Sequence, residues 1–401
     1  MIEKSSLYPE KLLFFSALFT LFFIPIYNSL TSIGIGLTFL FLTLTMISRR
    51  FCLKGRYQYI AAVVLFFLLS IISMANSSAP AASLKGLKKL SIYFFLYLSA
   101  LACVRDEKRV KGFIFILIFS AVVVSLDGLY QFAQGQDWFS ARELMSYPHL
   151  GIKRVTASFN QAGSLGIHLG LILPIALSLS IFYGPGAAKW LSRAAVVLIM
   201  PALALTYAPG AAFGIYAAAL LIAALKKKIW IAALLLTGLI FGSFLLPESL
   251  TSWPNGSLFT SVIGRVNMWS TGLKIISIHP FIGSGLHTFP INYQNLCLPG
   301  QPHCGGGAPY AHNMYLQMAA ETGLLGLGAF LALMVITFKG LLFIFRSEKT
   351  GNFIKTTSLG LIGGITAYLT HGLLESSIYT SQGALLFWAM LGLSHALIKN
   401  C

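Results

Sequence analysis

Runs of about 17–22 predominantly apolar residues recur along the chain, the length that crosses a bilayer as a helix. Twelve of them predict membrane spans, centred near residues 20, 40, 67, 96, 121, 173, 201, 217, 238, 328, 364 and 390. The runs near 201 and 217 are short and joined by Ala208-Pro209-Gly210, which leaves a single re-entrant hairpin open as an alternative. The first run, from about Leu12 to Leu30, has a span's length and no small-residue cleavage site, so it reads as a span and not a leader. Two connections are longer than the rest: Gln131 to Gln161, and about residues 246–311. In the second, Val262, Val266, Trp269, Leu273 and Ile276 recur at helical spacing. They predict a helix over 257–279 that lies in the outer interface with its apolar face toward lipid or the bundle. Pro280 ends it, a turn with Gly283 and Gly285 follows, and the chain is expected to re-enter the bilayer as a helix opening at Ala311-His312-Asn313.

Composition agrees with that pattern. The chain has 401 residues, 57% of them hydrophobic and 10% charged, with a mean hydropathy of +0.79. A soluble fold of this length could not bury so much apolar side chain. The fold class is therefore an all-α integral membrane protein, residues 1–401 forming a single polytopic domain with a large outer loop between spans nine and ten. The basic residues orient it. With both termini placed in the cytoplasm, 20 of the 28 Lys and Arg fall on the cytoplasmic side and 8 outside. The net charge of +17 thus reports topology; it is not a signature of nucleic-acid binding. The first four spans carry few polar groups and read as scaffold.

Polar chemistry collects on the outer side. In a helix opening near His312, residues Asn313, Gln317 and Glu321 fall at i, i+4 and i+8, one polar stripe. A carboxylate at the depth of Glu321 should face protein and not lipid. Arg265 lies on the interfacial helix, and Lys153 and Arg154 precede the sixth span. A guanidinium offers a planar fork of donors that fits phosphate oxygens; contact with anionic headgroups is the plainer role for the Lys153-Arg154 pair. Asp127 is either an interfacial carboxylate or a buried polar group. His371 and Glu375, at the outer end of span eleven, either join the site or cap a helix. Cys297 and Cys304 share the large outer loop, where a disulfide is favoured; a zinc site completed by His303 and His287 is the alternative. There is no carboxylate cluster to hold Mg²⁺ and no glycine-rich phosphate loop, so neither a metal nor a nucleotide cofactor is expected. Arginines could neutralise a diphosphate leaving group, and His312 could take the proton of an attacking hydroxyl.

The ordered series Gly264-Arg265-x-x-Met268-Trp269, His279-Pro280-Phe281-Ile282-Gly283-Ser284-Gly285, Ala311-His312-Asn313-x-Tyr315-Leu316-Gln317 and Glu321-x-Gly323-Leu324-Leu325-Gly326 resembles the shared region of bacterial O-antigen ligases and Wzy-type O-antigen polymerases. The detailed match covers about residues 260–330, within a ligase-like region of about 150–340. The resemblance implies a GT-C-type membrane glycosyltransferase in the inner membrane, with a periplasmic active site and no metal. Its donor would be an undecaprenyl-diphosphate-linked glycan. A ligase would pass that glycan to the lipid A core oligosaccharide, in lipopolysaccharide biosynthesis. The resemblance makes Arg265 a donor-phosphate arginine, His312 the essential histidine and, less securely, Arg154 a second phosphate arginine. Tyr315, Asn313, Gln317 and Glu321 would support them. Where the family often has Ser-Arg-Gly, this chain has Ala208-Pro209-Gly210, and Lys153 or Arg154 would have to substitute. A polymerase joining two lipid-linked glycans is the rival within the class, and a transporter or flippase the rival outside it. Transporters place polar groups at the midplane of repeated halves, and no such repeat is visible here.

Overall fold

The structure is a computed structural model, and it describes residues 8–48, 57–147, 152–228, 230, 237, 257–298, 304 and 310–399. Among these, the helices are α1 Tyr8–Phe23, α2 Asn28–Ile47, α3 Tyr57–Ile72, α4 Pro80–Cys103, α5 Glu107–Gln134, α6 Ala162–Phe182, α7 Ala187–Ala204, α8 Pro209–Lys226, α9 Ser257–Ile278, α10 Phe289–Leu296, α11 Met314–Arg346, α12 Asn352–His371 and α13 Ser381–Lys399. Short 3₁₀ turns follow α3, at Ser73–Asn76, and precede α13, at Ser377–Tyr379. Nine helices of the described residues are long and apolar enough to cross a membrane. The chain is thus a mostly helical, multi-pass membrane protein. Eleven of the twelve predicted span centres fall on helices; the twelfth, near residue 238, lies outside the described residues. α7 and α8 each run 18 residues, about 27 Å at 1.5 Å per residue, so each has the length of a span.

α6 is buried on nearly all sides and forms the centre of the bundle. A helix apolar all round is the kind that protein can enclose on every side. α12 packs on it through small residues: a Cβ on Gly360 would meet the Ile175 backbone at 2.6 Å, and one on Gly364 would strike the Leu171 carbonyl. Close approach of this kind is how helices associate where apolar burial gives no preference over lipid.

The connections sort to two ends of the bundle. At one end Arg105 pairs with Glu10 at 3.0 Å, Lys226 lies over the rings of Phe182 and Phe345, and Lys111 lies over Phe353. These belong to the loops expected in the cytoplasm. At the other end Ser158 donates to the Pro25 carbonyl, Gln382 Nε2 donates to the Ile24 carbonyl at 3.1 Å, and Asn76 Nδ2 donates to the Gly283 carbonyl at 3.1 Å. The candidate site is at this second end.

Two local elements were not legible in the hydrophobic pattern. Residues 145–147 and 152–154 form a two-stranded antiparallel ribbon, β1 Met145–Tyr147 and β2 Ile152–Arg154, in what the pattern left as loop. α10 begins with Pro290 in its first turn. Proline is pre-organised for that position, a signal that was present in the sequence.

Candidate functional site

The site is assembled around a helix that the protein breaks. α11 carries Gly323 at φ 73°, ψ 176°, outside helical geometry. The Leu324 and Leu325 amides would ordinarily donate to the carbonyls of Ala320 and Glu321. Instead Leu324 N donates to Pro280 O at 2.8 Å and Leu325 N to Phe281 O at 3.2 Å. The vacated carbonyls accept from the same loop, Ala320 O from Ser284 N at 2.9 Å and Glu321 O from Gly285 N at 3.0 Å. The loop 280–285 is therefore inserted into the break, and these four backbone groups are re-paired, as the interior of a membrane protein requires. Gly283, at φ 75°, lies so close to the Glu321–Gly323 backbone that any Cβ would collide. Two motifs about 40 residues apart in sequence are thus one interlocked element.

The Glu321 side chain completes the lock. It is fully buried and accepts from the amides of His287 at 2.8 Å and Phe289 at 3.2 Å, from Gln317 Nε2 at 3.2 Å, and from the Tyr379 hydroxyl. Gln317 in turn accepts from the Ala311 amide at 3.2 Å. The Gln317 and Glu321 part of the predicted stripe exists, but its polar atoms are spent on holding backbone.

Asn313 is the N-cap of α11, accepting from the Tyr315 and Leu316 amides at 3.0 Å each. An Asn side chain at this position satisfies amides that the first turn leaves without partners. The helix consequently starts at Met314, and His312, expected inside it, lies just before it at φ 48°. That left-handed conformation is strained for a side chain of this size. Its neighbours enforce it. Trp269 Nε1 donates to Ala311 O at 3.0 Å, Met314 N donates to Gly372 O at 2.7 Å, and Tyr315 Oη donates to Leu369 O at 2.8 Å.

So held, half-buried His312 places Nδ1 2.8 Å from Glu375 Oε2, and the other oxygen of that carboxylate lies 3.3 Å from Arg265 Nη2. Glu375 thus joins the candidate base to the candidate phosphate ligand. Burial works against its ionised form, yet the hydrogen bond from His312 and the charge of Arg265 outweigh it and hold the carboxyl below its ordinary value. An ionised Glu375 accepts from Nδ1–H, which leaves Nε2 with the ring's lone pair. One contact to Glu375 leaves further guanidinium donors for an anion. The sequence left His371 and Glu375 open between a site and a cap; the structure brings Glu375 against His312 and Arg265.

The other expected residues fall into different places. Lys153 is exposed on β2, and Arg154 donates from Nε to Thr206 O at 2.7 Å, in the turn between α7 and α8. The first turn of α8, which follows directly, reaches the site from behind: a Cβ on Gly210 would lie 2.8 Å from the His371 ring. Pro209, where the resembled family often has arginine, is exposed at the first turn of α8. Asp127 is fully buried and accepts from the Trp138 amide at 2.7 Å, which anchors the loop after α5. Of the two readings, a buried polar group is the one its burial matches. Cys297 and Cys304 are joined as a disulfide with Cα atoms 5.9 Å apart, and the His287 ring is engaged by Lys89 instead, while His303 lies outside the described residues.

The apolar residues of α9 divide between an exposed and a buried side. Val266 and Leu273 are exposed, while Met268, Thr271, Gly272 and Ile275 are buried. A Cβ on Gly272 would strike Leu316. Small residues decide which side packs, and periodicity of large apolar residues then marks the outward side.

Comparison with known proteins places this architecture. The family described as O-Antigen ligase matches residues 161–331, from the start of α6 through the break in α11. The chain is 31% identical to an O-antigen ligase of Pseudomonas aeruginosa over 155 residues, which is 38% of this chain and 34% of that relative. It is 25% identical to the exopolysaccharide production protein ExoQ of Rhizobium meliloti over 337 residues, 77% of this chain and 71% of that protein. The resemblance in the sequence thus holds at the level of the family, over the stretch that contains Arg265 and His312.

Proposed function

We propose, from the premise that residues 161–331 carry the O-antigen ligase domain, that this protein transfers a glycan from undecaprenyl diphosphate to the lipid A core oligosaccharide at the outer face of the inner membrane. The carrying observation is the Glu375 carboxylate, bonded on one side to His312 and on the other to Arg265. A base and an anion ligand on one carboxylate suit a displacement at a sugar attached to a diphosphate.

In this reading Glu375 fixes the His312 tautomer, and Nε2 takes the proton of the acceptor hydroxyl as its oxygen attacks the anomeric carbon. The bond from that carbon to the diphosphate oxygen breaks, and the lipid diphosphate leaves with the electron pair. Arg265 receives the charge that grows on the leaving group, an interaction stronger in the transition state than before it. Arg154, tied to the turn behind His371, supports the same end of the site. A GT-C-type fold and a metal-free reaction belong to this proposal.

A second reading, a polymerase that joins two lipid-linked glycans, draws support from the longer alignment with the exopolysaccharide production protein. One experiment separates them. Purified protein is reconstituted in liposomes with EDTA and a labelled undecaprenyl-diphosphate glycan, and offered either lipid A core or a second lipid-linked glycan. Product on the core is expected. Product only on the second glycan moves the assignment to the polymerase, and absence of both products overturns glycan transfer. Activity that returns only with Mg²⁺ or Mn²⁺ overturns the role given to arginine.

A further inference from the structure

A second polar cluster lies beside the first and is not used by the chemistry above. Lys85, Lys88 and Lys89 lie in the N-terminal half of α4, which begins at Pro80. Lys89 is half-buried, and its Nζ lies 3.0 Å from His287 Nε2. Lys85 is one turn earlier on the same face, a like-charge pair that costs a few tenths of a kcal/mol. Among the described residues no carboxylate lies within ion-pair distance of either lysine. Glu321 attracts Lys89 from farther away, but its oxygens are already engaged by four neutral donors. His287 does not add a counter-charge. Burial, then Lys89 and Lys85, push its ring down to about 4, so it is neutral near pH 7.

An ionisable group within a span is expensive, and function is its default explanation. Here Lys89 lines a pocket that is partly open to the surface. Phe66, Leu90, Met318 and Ile378 supply its apolar wall, and His287 and Tyr379 its polar end. The His287 and Tyr379 rings are stacked with centroids 6.3 Å apart, and Tyr310 stands 6.3 Å from each. Tyr310 is two residues before His312, and Tyr379 is four after Glu375. The cavity therefore adjoins the proposed catalytic centre through two aromatic side chains.

We infer that this cavity is the subsite for the second substrate, a phosphorylated glycolipid, with Lys89 and Lys85 on its anionic group, Tyr310 and Tyr379 against a sugar ring, and the apolar wall against its lipid. Cationic, aromatic and apolar surfaces converge here in the combination that such a molecule presents: charge, flat apolar sugar faces and an acyl body. The inference rests on the transfer reading above and deepens it by assigning the acceptor side.

The test is binding without turnover. Purified full-length protein in detergent is titrated, in the absence of donor, with lipid A core and with the same glycolipid after enzymatic removal of its phosphates. Wild type is expected to bind the phosphorylated form about tenfold more tightly. Lys89→Gln should abolish that preference, Lys89→Arg should keep most of it, and Tyr310→Ala should weaken both forms alike. In turnover assays Lys89→Gln should raise KM for the acceptor with little change in kcat. Lys89→Gln protein with undiminished preference overturns the inference. So does equal competition by phosphatidylglycerol micelles or by inorganic phosphate, which would make this a general lipid-headgroup or free-phosphate site. If the binding preference follows Lys89 but no transfer occurs in liposomes, the transfer reading fails and the subsite stands. If transfer proceeds with an unaltered acceptor KM in Lys89→Gln, the subsite fails and the transfer reading stands.

Discussion

Two glutamates on this face of the protein make opposite use of the same side chain. Glu321 is fully buried and surrounded by neutral donors, two of them backbone amides of the inserted loop. Glu375 is partly open to solvent and meets two side chains that can pair with its charge, His312 through Nδ1 and Arg265 through its guanidinium. A carboxylate that satisfies amides fixes where a chain runs. A carboxylate between a histidine and an arginine fixes a tautomer and a charge pattern, which matter to a reaction and little to a fold. The break in α11 separates these tasks: Gly323 lets the loop 280–285 dock against Glu321, and the N-terminal part of α11 above it presents His312.

The largest difference should appear when each half is disabled in turn. His312→Ala is expected to reduce transfer by roughly 10²–10⁴-fold, the range for loss of a general base, with donor binding and thermal midpoint close to wild type. Near wild-type turnover by well-folded His312→Ala protein would remove His312 from the chemistry. Glu321→Leu should do the reverse and act through the fold. It orphans two amides and the Gln317 carboxamide, at about 1–3 kcal/mol for each unsatisfied group. Its thermal midpoint in detergent should fall by about ten degrees, and Glu321→Gln, which keeps an acceptor oxygen, should lose less. A Glu321→Leu protein that melts with wild type would contradict the lock.

Acid sharpens the same contrast on the Glu375 side. A carboxyl held below its ordinary value contributes stability at higher pH and loses it as pH falls through the folded value. For Glu375 that loss begins on acidification past the ordinary glutamate value of about 4.5. Glu375→Gln lacks the linkage. The gap in thermal midpoint between wild type and Glu375→Gln should therefore be widest near neutral pH and close on acidification. Melting both proteins from pH 7 down to pH 3.5 checks this, and a gap independent of pH would mean that the ion link does not stabilise the folded state. Glu375→Gln should also cut transfer at pH 7 by about tenfold, within the usual range for loss of an orienting partner.

How legible the molecule was from sequence follows the same division. Spans are written in long apolar runs, and eleven of twelve centres fall on helices because bilayer thickness leaves so few alternatives. Arg265 and His312 were visible as rare polar residues in a short ordered series of motifs. Glu375 was seen but could not be assigned, since its partners are 110 and 63 residues away and no local pattern encodes such a meeting. Lys89 carries no local signal, because its pairing with His287 spans 198 residues. The backbone exchange at Gly323 was hidden for another reason. Sequence shows that a glycine is present, but not that amides of one loop will replace those of a helix. Which side of α9 packs on protein was left open between lipid and bundle, because large apolar residues dominate periodicity while Thr271 and Gly272 are on the buried side.

The smallest expected effect concerns two adjacent cations. Lys153 and Arg154 were grouped together as diphosphate ligands because both are basic and both precede α6. Successive strand residues point to opposite faces, and on β2 this separates them: Lys153 is exposed, while Arg154 is turned to the Thr206 carbonyl. Val155 N also donates to Leu205 O at 3.1 Å, so the end of the ribbon is fastened to the α7–α8 turn at two points. The first turn of α8, which follows directly, abuts the His371 ring, four residues before Glu375. Arg154→Ala should therefore cost about 1 kcal/mol of stability, the net worth of one hydrogen bond, and lower transfer severalfold by loosening what lies behind Glu375. Arg154→Lys keeps the charge but not the Nε geometry and should recover little. Lys153→Ala should change either quantity by less than about twofold, as substitutions at exposed positions commonly do. Kinetics of the three variants at one donor concentration below KM distinguish the positions. Equal damage from Lys153→Ala and Arg154→Ala would return both to the donor site, and a neutral Arg154→Ala would show that the turn needs no brace.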